Sequence, residues 1–179
     1  MDGVAFRAGS GFAAGVPPLN APARNAWLLV LAWLGLILVG SGDGLSAPNT
    51  SRFLQPLLHW LFPMLSPAGL WQGIVAIRKG GHLTEFAILA LLARHAWVRT
   101  LNGRATLAGL SPAALAFTFA VLCAAGDEWR QSFVPSREGS LRDVLIDAVG
   151  AALGLWVVGA ILKWRRRSHP PATSEPGAT

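Results

Sequence analysis

Four apolar stretches punctuate the chain, at about Ala26–Val39, Gly80–Val98, Pro112–Trp129 and Leu141–Leu162, divided by segments rich in Pro, Gly, Ser and charge. Runs of that length and hydrophobicity predict helices able to cross a bilayer. Ser111 followed by Pro112 is a helix start, with a hydroxyl to cap the free N–H groups and a proline whose missing N–H costs nothing there. Ser140 followed by Asp143 has the spacing of a capping box for the fourth helix, with Asp in place of the usual Glu. The stretch from Arg52 to Ile77 is apolar but carries Pro56, Pro63 and Pro67, which oppose one continuous helix. It predicts two short interfacial helices, with Trp60 and Trp71 at headgroup depth. The polar segment 41–51 reads as a turn region, in which Asn49-Thr50-Ser51 fits either a glycosylation acceptor or a helix cap. The expected fold class is therefore all-α: an integral membrane bundle of about four transmembrane helices, with short interfacial helices between the first and the second. Residues 26–165 form the transmembrane domain. Residues 1–25 and 166–179, without apolar periodicity, form disordered tails. Arg24 and the small residues near Ser41 give the first span some likeness to a signal peptide, but the long chain before it favours an uncleaved anchor.

Composition supports the membrane reading. Of 179 residues, 53% are hydrophobic and 13% charged, against about 25% charged in soluble domains, and mean hydropathy is +0.46. The net charge of +6 sits beside apolar spans, where it suits anionic headgroups and orientation, and no nucleic-acid module is recognisable. With four spans, Arg7, Arg24, Arg94, Arg99, Arg104, Lys163, Arg165, Arg166 and Arg167 share one side; Arg52, Arg78, Lys79, Arg130, Arg137 and Arg142 share the other with most of the acids. The positive-inside rule then places both termini in the cytoplasm, with Trp27, Trp97 and Trp164 at the inner interface and Trp129 at the outer one. Cys123, alone in an apolar run, is a packing residue.

Under this topology three helix ends carry polar groups to the outer face. The second span enters with Lys79, His82 and Glu85, a slowly drifting stripe; the third leaves with Asp127, Glu128 and Gln131; the fourth enters with Asp143 and Asp147, one turn apart. Arg137 lies in the loop between the last two. At 1.5 Å per residue Glu85 is about 9 Å deeper than Lys79, and Asp147 about 10 Å deeper than Ser140. An ionised carboxylate facing lipid at such depth costs about 2–3 kcal/mol, so both should face the bundle interior and find partners, with His82, Arg137 and Lys79 the nearest candidates. Simpler roles compete: Asp143 as a cap, Lys79 snorkelling, and the whole set as an ion-pair network stapling three helices. His, Glu and Asp are all possible metal ligands, but no HExxH or paired-His spacing occurs, and neither metal nor cofactor is expected.

Two strings, KGGHLTEF from Lys79 to Phe86 and DEWRQSFVPSREGSLRDVLIDAVG from Asp127 to Gly150, closely resemble the VanZ-like family. Its Lys-x-x-His element before an aromatic is matched by Lys79, His82 and Phe86. Its Asp-Glu-x-x-Gln-x-Phe is matched by Asp127, Glu128, Gln131 and Phe133. An Arg in a Gly/Ser loop follows as Arg137, and Asp-x-x-x-Asn/Asp-x-x-Gly as Asp143, Asp147 and Gly150. The likeness covers about residues 26–165. Phe86 stands where many members carry Tyr, so that hydroxyl is missing, and Asp147 stands where Asn is common, adding a negative charge. The resemblance implies a small multi-pass protein of the bacterial cytoplasmic membrane, in a family whose named member is linked to low-level teicoplanin resistance. No reaction comes with it. One expectation is an outer-leaflet site for an amphiphilic lipid, a lipid-linked cell-wall precursor or a glycopeptide. Its catalytic candidates are His82, Glu85, Asp127, Glu128 and Asp147, and its substrate-binding candidates Lys79, Gln131, Arg137 and Asp143. A second is a non-catalytic accessory protein whose polar cluster is structural and whose segment 52–77 binds. A third is a small proton-coupled transporter using Glu85 and Asp147 as relays. Oligomeric state is left open.

Overall fold

The computed structural model describes residues 20–42, 47–102, 104, 106–135 and 139–168. They form five helices: α1 Ala21–Gly40, α2 Ala47–Leu61, α3 Pro67–Leu101, α4 Pro112–Gln131 and α5 Leu141–Ser168. No strand occurs among the described residues. Three helices open with one local grammar. Asn20, Ser66 and Ser111 each accept a hydrogen bond from the backbone N–H three residues on, and each helix has a proline in its first turn. The expected Ser111–Pro112 start of α4 is thus observed, while α1 begins five residues before Ala26 and α5 continues beyond residue 165 to Ser168.

α3 is the hub, packing against each of the other four helices, and α4 also packs on α5. At about 1.5 Å per residue its 35 residues span roughly 52 Å, well beyond a hydrocarbon core of about 30 Å. This corrects the expectation of two separate interfacial helices over 52–77. Only the first, α2, stands alone; the second is the N-terminal part of α3, continuous with the span through Arg78, Lys79, Gly80 and Gly81. The break falls between Leu61 and Pro67, around Pro63, whereas Pro56 sits inside α2 and forfeits one helix hydrogen bond without ending it. α2 rests on this extension through Leu54 and Leu58 against Leu70 and Ile74, and Arg78 bridges back to Thr50 Oγ1 at 3.4 Å.

Small side chains line the helix contacts. Ala116, Ala120 and Ala124 recur every fourth residue on α4, and Ala90, Ala93 and Ala96 line α3 around the fully buried Phe86 and Leu89. α3 and α5 approach closely at two glycines of α5. A Cβ on Gly150 would lie 2.9 Å from Leu83 Cα, and one on Gly154 3.1 Å from Ala87 Cβ. This small-xxx-small pair lets two backbones nearly touch, a device suited to lipid, where helix association depends on close packing.

The outside of the bundle is apolar. Leu28, Leu29, Leu31, Leu36 and Val39 on α1, Leu122 on α4, and Leu145 and Trp156 on α5 are all exposed. Among the described residues two helices, α1 and α5, are long and apolar enough to cross a membrane, with less than a quarter of each apolar window buried inside the protein. The other two expected spans are helical but fall short of that apolarity, because α3 and α4 carry the polar groups described next. At the opposite end Trp27 packs edge-on against Trp97 and Phe119, with centroids 5.2 and 5.8 Å away, and donates to Thr100 Oγ1 at 3.0 Å.

Candidate functional site

The up-and-down course of the helices brings the start of α3's inner part, the end of α4, the start of α5 and the end of α1 to one end of the bundle. The polar residues gathered there divide into two parts of different character.

The first part is closed. Asp127, 3% exposed, is saturated. Its Oδ1 accepts from Arg130 Nε at 3.2 Å and Arg130 Nη2 at 2.9 Å, and its Oδ2 from Gln131 Nε2 at 2.9 Å. The Ser41 hydroxyl lies 2.8 Å from Asp127 Oδ1 and 2.7 Å from the Ile37 carbonyl, and its single proton serves one at a time. Arg130 Nη2 also donates to Ser41 Oγ at 2.9 Å and to the Leu38 carbonyl at 3.2 Å. The group thereby pins the exposed carbonyl end of α1 to the last turn of α4. Glu128 belongs to the same shell: Oε1 accepts from Gln131 Nε2 at 3.2 Å, and Oε2 from the Ser140 backbone N–H at 2.9 Å.

That last contact corrects the expected capping box. The Ser140 N–H that an Asp143 carboxylate would have accepted is taken by Glu128 from the preceding helix. Asp143 instead accepts from Lys79 Nζ at 2.9 Å. With side chains 42% and 36% exposed, Lys79 and Asp143 form a surface pair, of the kind worth about 0–1 kcal/mol.

The second part is open. Asp147, 1% exposed, has no hydrogen-bond partner on either carboxylate oxygen, and neither does the buried Nδ1 of His82. The two face each other across 3.7 Å, beyond hydrogen-bond length. The His82 side chain as a whole is 21% exposed. Gly150 sets this geometry, since its backbone contact with Leu83 holds the α3 and α5 turns bearing His82 and Asp147 together. Glu85, half-buried one turn beyond His82, has no side-chain hydrogen bond or ion pair among the described residues; only its backbone carbonyl is engaged, by Trp33 Nε1 at 2.9 Å. Of the partners expected for the two deep acids, His82 therefore faces Asp147, Lys79 is committed to Asp143, and Arg137 lies outside the described residues.

Two members escaped the sequence reading. Ser41 lies in a segment whose sequence reads as a polar turn, and Arg130 reads only as one of the outer-face basic residues. The i, i+3 spacing of Asp127 and Arg130 on one helix was the available signal for the latter. Nothing in the order of residues pointed to Ser41, which meets Asp127 across 86 positions. Among the described residues no group of three or more His, Cys, Asp or Glu side chains is placed to hold a metal ion.

The arrangement offers a saturated polar staple beside an unsaturated His–Asp pair. Asp147 lies on the Nδ1 side of His82, which leaves Nε2 as the ring nitrogen free of that carboxylate to accept or give a proton. Residues 26–162 match the family model described as VanZ/LLP1. No curated protein and no solved structure matches the chain significantly.

Proposed function

The chain belongs to the VanZ-like family, whose model covers residues 26–162. On that premise we propose that it is a four-span protein of the bacterial cytoplasmic membrane, with both termini inside. Its polar end opens to the outer leaflet and engages an amphiphilic lipid, a lipid-linked cell-wall precursor or a glycopeptide. The observation that carries this reading is the contrast at the polar end. An ion-pair staple has every group matched, as around Asp127, whereas His82 and Asp147, on turns brought together by the Gly150–Leu83 contact, face each other at 3.7 Å with no hydrogen bond to Nδ1 or to either carboxylate oxygen. Buried polar groups without hydrogen-bond partners cost stability, and their retention beside a partly exposed imidazole points to use. α1 and α5 supply the apolar outside that a bilayer requires. α3 and α4 turn polar groups toward the start of α5, through Lys79–Asp143 and Glu128–Ser140, so their lower apolarity is compatible with spanning. The basic ends of α3 and α5, with Arg94, Arg99 and Arg165–Arg167, favour the cytoplasmic side.

In this role His82 is the proton-handling group, Asp147 positions it, and the half-buried Glu85, one turn further along α3, is a second acceptor. The staple of Ser41, Asp127, Arg130 and Gln131 acts non-catalytically, fixing α1 to α4. The test is teicoplanin tolerance of cells expressing wild type, His82→Ala and Glu85→Gln, with membrane levels followed by blot. Loss of tolerance at normal abundance supports the site, and unchanged tolerance at full abundance removes it.

A further inference from the structure

The proposed site makes no use of the helical hairpin formed by α2 and the N-terminal part of α3. Residues 53–77 contain no Asp, Glu, Lys or Arg, and the charges stand at the base of the hairpin as Arg52, Arg78 and Lys79. Its two helices run antiparallel, with Thr50 against Arg78 and Leu58 against Gly73. Their shared core is small, Leu54 and Leu58 with Leu70 and Ile74, and it leaves Phe53, Leu57, Trp60, Leu61, Phe62 and Met64 exposed. At about 100° per residue Phe53, Leu57, Trp60 and Leu61 share one side of α2, with Arg52, Gln55 and His59 opposite. A helix divided in this way lies along a membrane surface, its apolar side among acyl chains and its polar side in water. Lys79, paired with Asp143 in the first turn of α5, marks the level of the polar end. A straight α3 would carry Ser66 about 20 Å beyond Lys79, holding the apolar tip of the hairpin away from the bilayer.

α3 has a place to turn. Gly80 and Gly81, at the foot of the hairpin, are exposed, with nothing within 4 Å of a Cβ built on either. Close contact requires glycine at Gly150 and Gly154; no contact requires it here, and each of the two weakens a helix relative to alanine. The Thr84 hydroxyl donates to the Gly80 carbonyl at 2.8 Å, a bond of the kind that bends helices, and helices change direction at paired glycines. We propose that the hairpin is a membrane-docking arm: α3 bends at Gly80–Gly81, and α2 lies along the lipid leaflet at the polar end with Phe53, Leu57 and Leu61 among the acyl chains. Lipid is the occupant on two grounds. The apolar outside of the bundle continues to this level, through the exposed Val39 beside Ser41. The charges of the arm all stand at its base, where they meet anionic headgroups, and the exposed Trp60 and Trp71 suit headgroup depth. The turn ends directly before His82, so the docked arm brings leaflet lipid beside the proposed site.

The arm rests on the proposed function only for which leaflet it occupies, and its test is separate from the tolerance assay. Full-length protein carrying Cys123→Ala is given one new cysteine at a time, by Leu57→Cys, Leu61→Cys, Gln55→Cys or His59→Cys. Each variant is spin-labelled and placed in liposomes of phosphatidylethanolamine and phosphatidylglycerol. Collision with oxygen, which concentrates in lipid, is then compared with collision with a water-soluble nickel chelate. The ratio of oxygen to nickel accessibility should be several-fold higher at positions 57 and 61 than at 55 and 59. The same labels are then read in a Gly80→Ala/Gly81→Ala background, which adds two methyl groups to open space. Stiffening the turn should lower the ratio at 57 and 61 toward that of the polar side, at unchanged membrane abundance. Equal ratios at all four positions would place the arm in water and overturn the proposal. Positions 57 and 61 closed to both reagents would mean that protein, such as a second copy of the chain, covers the stripe, and would overturn it too. An unchanged profile in the double alanine variant would overturn the bend at Gly80–Gly81. If the lipid pattern appears while His82→Ala keeps tolerance at full abundance, the arm stands and the site is wrong. If the pattern is absent while His82→Ala abolishes tolerance, the site stands and the arm is wrong.

Discussion

Gly150→Ala is the smallest change that should disable the polar end from a distance. A single added methyl would sit 2.9 Å from Leu83 Cα and equally close to the Leu83 carbonyl carbon, with the carbonyl oxygen nearer still. These are backbone atoms of α3, so no side-chain rotation relieves the clash and the two helices must part. Overpacking of this kind costs about 1–3 kcal/mol. At roughly 2–4 °C per kcal/mol for a chain of this size, the unfolding midpoint should fall by about 2–12 °C. Helix propensity works the other way, favouring Ala over Gly by about 1 kcal/mol, so Gly159→Ala is the control. Nothing lies within 4 Å of a Cβ there, and that variant should be as stable as wild type or more so. The assay is thermal unfolding of both variants in the same nanodisc, read by tryptophan fluorescence. Parting α3 from α5 also widens the 3.7 Å gap between His82 and Asp147, so Gly150→Ala should lose tolerance even at a temperature where it remains folded. A Gly150→Ala protein with wild-type stability and tolerance would refute both the packing account and its link to the site.

Asp127→Ala should cost about 2–4 kcal/mol and lower membrane abundance on a blot, because it strands the buried donors of Ser41 and Gln131 and removes the partner of Arg130. Lys79→Met should change the unfolding midpoint by no more than a few degrees, since it breaks only a half-exposed pair. Trp60, 76% exposed on α2, should be quenched by brominated lipid in a single-tryptophan variant, as expected of an aromatic group at the membrane interface; quenching by aqueous iodide instead would place α2 in water.

The sequence made the polar end legible because its residues recur at helical spacing near the ends of apolar runs. Lys79, His82 and Glu85 form one such stripe, Asp127, Glu128 and Gln131 another, and Asp143 and Asp147 a third. The caps were legible too, where a hydroxyl precedes a proline, as at Ser111. Other features depended on neighbours distant in sequence. The charges and glycines at Arg78–Gly81 suggest a boundary, yet α3 runs through them, tied to α5 by Lys79 and Asp143. Asp143 satisfied the local capping pattern, but Glu128 reached the Ser140 N–H first. The division between matched and unmatched acids could not be read at all. Asp127 and Asp147 are alike in composition and context along the chain, and only the folded contacts show that one is saturated and the other bare.

That division is the central claim, and one side-by-side comparison tests it. Asp127→Asn and Asp147→Asn are the same chemical change at two buried positions. Each is expressed in a teicoplanin-sensitive host, with membrane abundance and tolerance measured on the same cultures. The expected result is that Asp127→Asn depletes the protein, because an Asn there sets an N–H group against the donors of Arg130, Ser41 or Gln131. Asp147→Asn should leave abundance intact and abolish tolerance. The reverse pattern, or an Asp147→Asn protein that is both abundant and fully protective, would contradict the account.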